Sequence, residues 1–260
     1  MKQLFTGILL LLIAPSIARA QRVPAVREYY QLTVYHYSTT RQEEELDRYL
    51  QNALVPALHK LRLMRVGVFK ALDNDTALQK KIYVLIPFRG LEQWSQLDQR
   101  LLQDNGYRHA AGDYMNAPNK AGAYDRMETI LMRSFSGAPT LEVPQLKGDK
   151  NDRVYELRSY ESTTEKQFRS KVKMFNAGNE IGIFKRLGFN AVFYGEVLAG
   201  CRMPNLMYMT THENRAAREQ NWKNFGNDRD WKNLNLLEEY KDNVSHIDVT
   251  FLKATPYSDL

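Results

Sequence analysis

The sequence predicts an α+β chain made of two tandem copies of one βαββαβ unit, packed sheet to sheet. Three observations predict it. The run Tyr30-Gln-Leu-Thr-Val-Tyr35, followed by Ser38-Thr39-Thr40, returns as Tyr155-Glu-Leu-Arg-Ser-Tyr160 followed by Ser162-Thr163-Thr164. Ile82-Tyr-Val-Leu-Ile86 likewise returns as Leu206-Met-Tyr-Met-Thr210, which sets Tyr83 against Tyr208 and Trp94 against Trp222. A repeat of this length makes each copy a domain rather than a solenoid unit. Second, the apolar period switches between 2 and 3.6 in the same order in both copies. Third, a single sheet with helices on one face would leave its other face bare, and a second copy covers it.

The first twenty residues read as a signal peptide, residues 1–20. Lys2 gives a positive start, Leu4 to Ala14 is an apolar run, and Ala18-Arg19-Ala20 supplies small residues for cleavage. The run is shorter than the roughly 20 residues a membrane span needs. The chain is therefore expected to be exported, periplasmic or secreted, with no membrane span after cleavage.

The first copy occupies 27–135. Glu28 to Tyr37 alternates and suits a half-buried strand. Thr40 precedes three glutamates and reads as a helix start. Leu46, Leu50, Leu54, Leu58 and Leu61 keep helical spacing, with Pro56 placed to bend or split the helix. Val66–Ala71 and Lys81–Phe88 read as strands turned at Asn74 and Asp75. Leu91, Trp94, Leu97 and Leu101 mark a second helix, and Met127–Ser134 a fourth strand. Residues 104–125 carry no clear period. Residues 136–152, with two prolines and two glycines, read as the linker.

The second copy, 153–254, repeats the order. Arg153–Glu161 is a strand. Thr164 opens a helix with Phe168, Val172 and Phe175 on one face, loosened at Gly178 and Gly182. Phe189–Leu198 and Pro204–Thr211 form a strand pair, and Glu213–Phe225 a helix. Asp228 caps a turn carrying Trp231, and His246–Lys253 is the last strand. Each copy thus has the ferredoxin-like order, and the pair predicts a pseudo-dimeric α/β barrel.

Composition narrows the function. The 260 residues carry 36 basic and 30 acidic side chains, a net charge of +6. Removing Lys2 and Arg19 with the signal leaves 6 − 2 = +4, a small excess spread along the chain. That gives no nucleic-acid surface. One cysteine, Cys201, excludes an internal disulfide framework. With 43% apolar residues the chain can stabilise itself by its core.

Strand alternation places Glu156, Arg158 and Tyr160 on one face of their strand, Tyr194 and Glu196 on one face of the next, and Tyr208 on the face of a third. Pointed at the sheet-sheet interior, these six make a polar, tyrosine-rich ligand pocket between the copies. The first copy has Gln31, Thr33, Lys70 and Leu72 in place of Glu156, Arg158, Tyr194 and Glu196, so the site is expected to be asymmetric. The opposing expectation is structural: Glu-X-Arg on a strand is a common ion pair. The histidines His36, His59, His109, His212 and His246 form no spaced metal pair, so no metal site is expected. His246, near the last strand, could ligate a haem in a barrel cavity, but an ordinary polar strand-end histidine is the favoured reading.

Val154-Tyr-Glu-Leu-Arg-Ser-Tyr160, Tyr194-Gly-Glu-Val-Leu-Ala-Gly-Cys-Arg-Met-Pro-Asn-Leu-Met-Tyr-Met209, Trp222-Lys-Asn-Phe225 and Asp228-Arg-Asp-Trp231-Lys232 resemble the NIPSNAP family domain. The resemblance runs roughly from Arg153 to Lys253, and the first copy looks like a diverged member of the same fold. It implies a dimeric α/β-barrel fold. It implies no catalytic residues. Eukaryotic relatives are associated with mitochondria and vesicle roles, and the wider barrel superfamily includes small monooxygenases and haem-degrading enzymes. Three readings follow. The first is an exported protein that binds a small molecule or a protein partner, with no cofactor, possible as a homo-oligomer. The second is a cofactor-free or haem-linked oxidoreductase working in the inter-sheet cavity. The third is a purely structural interaction module.

Overall fold

The computed structural model describes residues 26–260, so the expected signal peptide, residues 1–20, lies outside the described residues. Eight strands form one closed antiparallel barrel: β1 (Tyr29–Tyr37), β2 (Gly67–Ala71), β3 (Lys80–Phe88), β4 (Arg126–Ser134), β5 (Val154–Glu161), β6 (Asn190–Ala199), β7 (Asn205–His212) and β8 (His246–Ala254). Around the barrel the order is β1-β3-β2-β8-β5-β7-β6-β4. Each copy contributes four adjacent strands in ferredoxin-like order, β4-β1-β3-β2 and β8-β5-β7-β6. The two sheets join edge to edge at β2–β8 and β4–β6. Closure removes the free edges that two separate sheets would expose.

The helices sit outside the barrel, one set over each sheet. Thr39, not Thr40, caps the first helix, Thr40–Tyr49, through a reciprocal bond with Gln42. Pro56 has no N–H to give four residues back, and the turn before it opens into a π segment at Leu50–Leu54. Residues 104–125, unassigned by periodicity, hold the short helices Asn105–Ala110 and Gly112–Met115. Asp104 caps the first of these by accepting from the Gly106 and Tyr107 amides. In the second copy the helix from Thr164 breaks at Gly178, and a second begins at Glu180. A Cβ on Gly178 would lie 2.5 Å from the Met174 carbonyl oxygen, a backbone atom that cannot swing away. Gly178→Ala is expected to cost about 1–3 kcal/mol, read as a lower thermal midpoint.

Three apolar layers result. One lies between the first sheet and its helices, centred on Leu46, Leu58, Val68 and Val84. One lies under the second set of helices, centred on Phe175, Phe184 and Tyr208. The third fills the barrel and draws on all eight strands, with Leu32, Phe69, Leu85, Met132, Tyr155, Phe193, Met209 and Leu252 among its members. Among the described residues no helix is long and apolar enough to cross a membrane.

The barrel packing corrects the expected inter-sheet cavity. Its interior is apolar and filled. At one mouth it leaves a pocket of about 190 Å³, below the roughly 300 Å³ that small-molecule pockets commonly start from. A haem inside the barrel does not fit this packing. His246 stands at the rim with its side chain 58% exposed, beside Asp248.

Strand register also corrects the repeat. Tyr30 pairs with Pro87 and Tyr155 with Thr211, so the offset is 155 − 30 = 125 on β1/β5 but 211 − 87 = 124 on β3/β7. Tyr208 therefore stands where Val84 does, and Tyr83 matches Met207. Because side chains alternate, that single step puts Tyr83 inside the barrel and Tyr208 outside. By the same register Tyr194 matches Val68 and Glu196 matches Lys70.

Candidate functional site

Glu156, Arg158, Tyr160, Tyr194 and Tyr208 lie on the outer, helix-covered face of β5, β6 and β7. They do not face the barrel interior. Alternation correctly grouped them but could not choose the face, because both faces of this sheet are buried. Four of them form one chain of contacts. Arg158 Nε donates to Glu156 Oε1 at 2.7 Å, and Arg158 Nη1 donates to the Tyr160 hydroxyl at 3.1 Å. The Tyr160 and Tyr208 hydroxyls are 2.8 Å apart. Tyr194 stacks on Tyr208 at 5.6 Å within the aromatic layer. Glu196 is not part of this group. It sits on the β4–β6 seam, where it accepts from Arg133 at 3.2 Å and from Arg27.

Glu156 is the centre of the cluster and has no exposed surface. Four donors occupy its two oxygens. Oε1 accepts from Arg158 and from Arg218 Nη2 at 2.7 Å. Oε2 accepts from Arg218 Nε at 2.8 Å and Trp222 Nε1 at 2.9 Å. Burial by itself would raise its pKa. The Arg218 bonds, the Arg158 charge and the Trp222 bond win and hold it down to about 2. The Arg158 guanidinium also lies 3.9 Å from the Trp222 ring centre. Arg218 and Trp222 are four apart on the helix Arg215–Asn227 and so share a face. The cluster is a clasp that fixes this helix to the sheet. The first copy keeps a neutral version, with Trp94 Nε1 donating to Gln31 Oε1 at 2.8 Å.

His212 lies beside the clasp, its Nε2 3.8 Å from Glu156 Oε2. Burial pushes its pKa down to about 4, so it is neutral. The hydrogen-bond network assigns its proton to Nε2: Asn221 Nδ2 donates to Nδ1 at 3.2 Å, and Nε2 faces Thr210 Oγ1 at 3.3 Å.

A saturated clasp has little left to offer a ligand, but a pocket opens next to it. Its volume is about 440 Å³, and Tyr160, Lys171, Glu180, Trp222, Trp231 and Tyr240 are among its lining residues. Lys171 is 5% exposed and Glu180 2%, and their charged ends meet at 2.9 Å. The Lys171 ammonium is ringed by aromatic faces: Phe175 at 4.7 Å, Trp231 at 5.6 Å and Tyr160 at 5.7 Å. Burial raises the Glu180 pKa, and Lys171 only partly offsets this. Lys171 follows Phe168 by three and precedes Phe175 by four, so it falls in the apolar stripe of its helix. A charge in that stripe was the sequence signal for this site, and sequence reasoning missed it. The pocket's lining includes no histidine, so it offers a haem iron no imidazole.

A larger cleft of about 540 Å³ lies under the C-terminal segment. Lys70 there is paired with Glu43 and Asp47, and Tyr257 with Asp47, while Lys150 and Lys253 also line it.

Residues 155–259 match the NIPSNAP family. This part of the chain is a NIPSNAP domain. The NIPSNAP domain holds the whole clasp and the lining of the 440 Å³ pocket. No curated protein matches the chain in sequence. In structure the chain is similar to a proposed monooxygenase from Lactobacillus acidophilus, at 12% identity and TM-score 0.55, covering 88% of this chain and 94% of that one. It is also similar to a proposed monooxygenase from Fusobacterium nucleatum, at 7% identity and TM-score 0.52, covering 88% and 93%. An anthrone oxidase-like protein matches at 10% identity and TM-score 0.50, covering 88% and 92%. At these identities the likeness is one of fold: two ferredoxin-like units close one α/β barrel, and the second of them carries the NIPSNAP match.

Proposed function

We propose that the chain is an exported binding protein that captures a small aromatic anion in the pocket beneath the helices of its NIPSNAP domain. The observation that carries this reading is the buried Lys171–Glu180 pair, ringed by aromatic faces, opening onto a 440 Å³ space. The aromatic faces of Tyr160, Trp222, Trp231 and Tyr240 suit a flat ring, and Asn235, Asn243 and the charged side chains of the same lining suit its polar groups. Lys171 supplies the buried anchoring charge, since Lys241 in the same lining is half exposed and paired with Glu238. When Glu180 takes a proton, the ammonium loses its internal partner and an incoming anion replaces it. Because the Glu180 carboxyl is held above its usual range, capture strengthens as pH falls. Structural pairing, not ligand contact, is the role of Glu156 and Arg158 in this reading.

The test is mass spectrometry of small molecules that co-purify with the wild type and with Lys171→Met/Glu180→Leu. The wild type should carry a compound that the double variant lacks. Equal retention by both would remove the pocket from the account.

A second reading is chemistry in the same pocket, as the names of the structural neighbours suggest. It rests on Glu180, since a carboxyl with a raised pKa is a usable general acid or base. Glu180→Gln separates the two. Under binding alone it leaves capture in place and converts nothing. Under the second reading the wild type converts the captured compound and the variant does not.

A further inference from the structure

We propose a divalent transition-metal site, of the zinc class, at the second-copy rim of the barrel mouth, held by Glu161, His246 and Asp248. One ligand atom from each lies within 4.8 Å of the other two. The strands place them. Glu161 on β5 pairs directly with His246 on β8, and Ser159 with Asp248 two residues along. Directly opposed residues point to the same face, so all three side chains turn toward the barrel mouth. His246 Nε2 and Asp248 Oδ1 are already 3.3 Å apart. Two ligands at zinc bond lengths and a tetrahedral angle stand about 3.3–3.4 Å apart.

A second observation points to the same place. Asn205 on β7 pairs with Glu161 from the other side, which sets Asn205, Glu161 and His246 in one row across three strands. Asn205 is 2% exposed and lines the mouth pocket. Its Nδ2 donates to Ser159 Oγ at 2.8 Å, while its Oδ1 has no hydrogen-bond partner. A buried carbonyl oxygen without a donor accepts a cation or a metal-bound water. One imidazole with two carboxylates is a donor set that suits zinc better than calcium or magnesium, which take oxygen alone.

Arg202 provides the positive charge at this rim, pairing with Asp248 and lying 3.7 Å from Glu161. It comes from the β6–β7 loop and its side chain is 55% exposed, so it can withdraw into solvent. The site is thus one where Arg202 and a metal ion exchange. The first copy cannot repeat it. His36 and Arg126 form the pair that matches Glu161 and His246, so a guanidinium stands where the imidazole would be. The ligands were not visible as a spaced motif because Glu161 and His246 come from different strands far apart in the chain.

The test is calorimetric titration with zinc chloride of chelator-treated protein, in a Cys201→Ser background that removes the exposed thiol. Arg202→Ala should take up one zinc at least tenfold more tightly than its parent. Adding His246→Ala to it should lower that affinity at least tenfold, and His246 is exposed enough to be replaced without unfolding. No uptake by the Arg202→Ala protein, or uptake unchanged by His246→Ala, overturns the proposal.

Discussion

Glu156→Ala is expected to cost about 3–5 kcal/mol, the usual penalty for removing one partner of a buried ion pair. The loss is large because four donors lose their acceptor together. Arg158 and Arg218 would be left as poorly compensated cations in the helix-sheet layer, and the Trp222 N–H would be left without a partner. A domain of this size holds only about 5–15 kcal/mol in total. Chemical denaturation should show the midpoint moving far down with little change in slope. Arg158→Ala should cost less, since Arg218 and Trp222 still cover Glu156. If Glu156→Ala is nearly neutral, the clasp is not what fixes the helix Arg215–Asn227 to the sheet.

Acid should weaken the protein in two steps, and the sign of each follows from its shift. His212 has a folded pKa of about 4 against an ordinary 6.5. Its buried neutral form costs nothing above pH 6.5. As pH falls from 6.5 toward 4 the unfolded chain gains a proton that the folded chain refuses, and stability drops. Glu156 has a folded pKa of about 2 against an ordinary 4.5. Its contribution is complete above pH 4.5 and is lost as pH falls toward 2. At about 1.4 kcal/mol per unit, each step is worth about 3 kcal/mol, less in combination because the groups touch. Glu180 acts in the opposite sense, since its raised pKa adds stability on acidification. Denaturation midpoints at pH 7, 5 and 3 would show the net fall. His212→Gln should flatten the first step and leave the second.

Much of this fold was legible in the sequence. Every strand fell within a residue or two of its expected place, because Tyr, Val and Thr runs alternate cleanly between turn residues. The unequal copies were legible too, since Glu156 and Arg158 have no charged counterparts at Gln31 and Thr33. The direction of the site was not. In a sheet buried by helices on one side and a second sheet on the other, apolar patterning does not mark the inside. Alternation groups Glu156, Arg158 and Tyr160 on one face, and only the structure assigns that face to the helix-covered layer. Tyr83 and Tyr208 align by residue type, while strand register separates them by one residue and therefore by one face. Lys171 is hidden in a helix whose period is carried by aromatics, and Glu180 begins a helix just past a break.

The central claim is that the Lys171–Glu180 pair serves binding and not stability. Replacing a buried ion pair by apolar residues is commonly neutral or stabilising by about 1–4 kcal/mol. The direct measurement is titration with 1-anilinonaphthalene-8-sulfonate, an aromatic anion, read by energy transfer from Trp222 and Trp231 at the pocket. The wild type should bind it more tightly at pH 5 than at pH 8. Lys171→Met/Glu180→Leu should bind at least tenfold more weakly while unfolding at an equal or higher midpoint. Undiminished binding by that double variant, or binding that falls with its stability, would contradict the account.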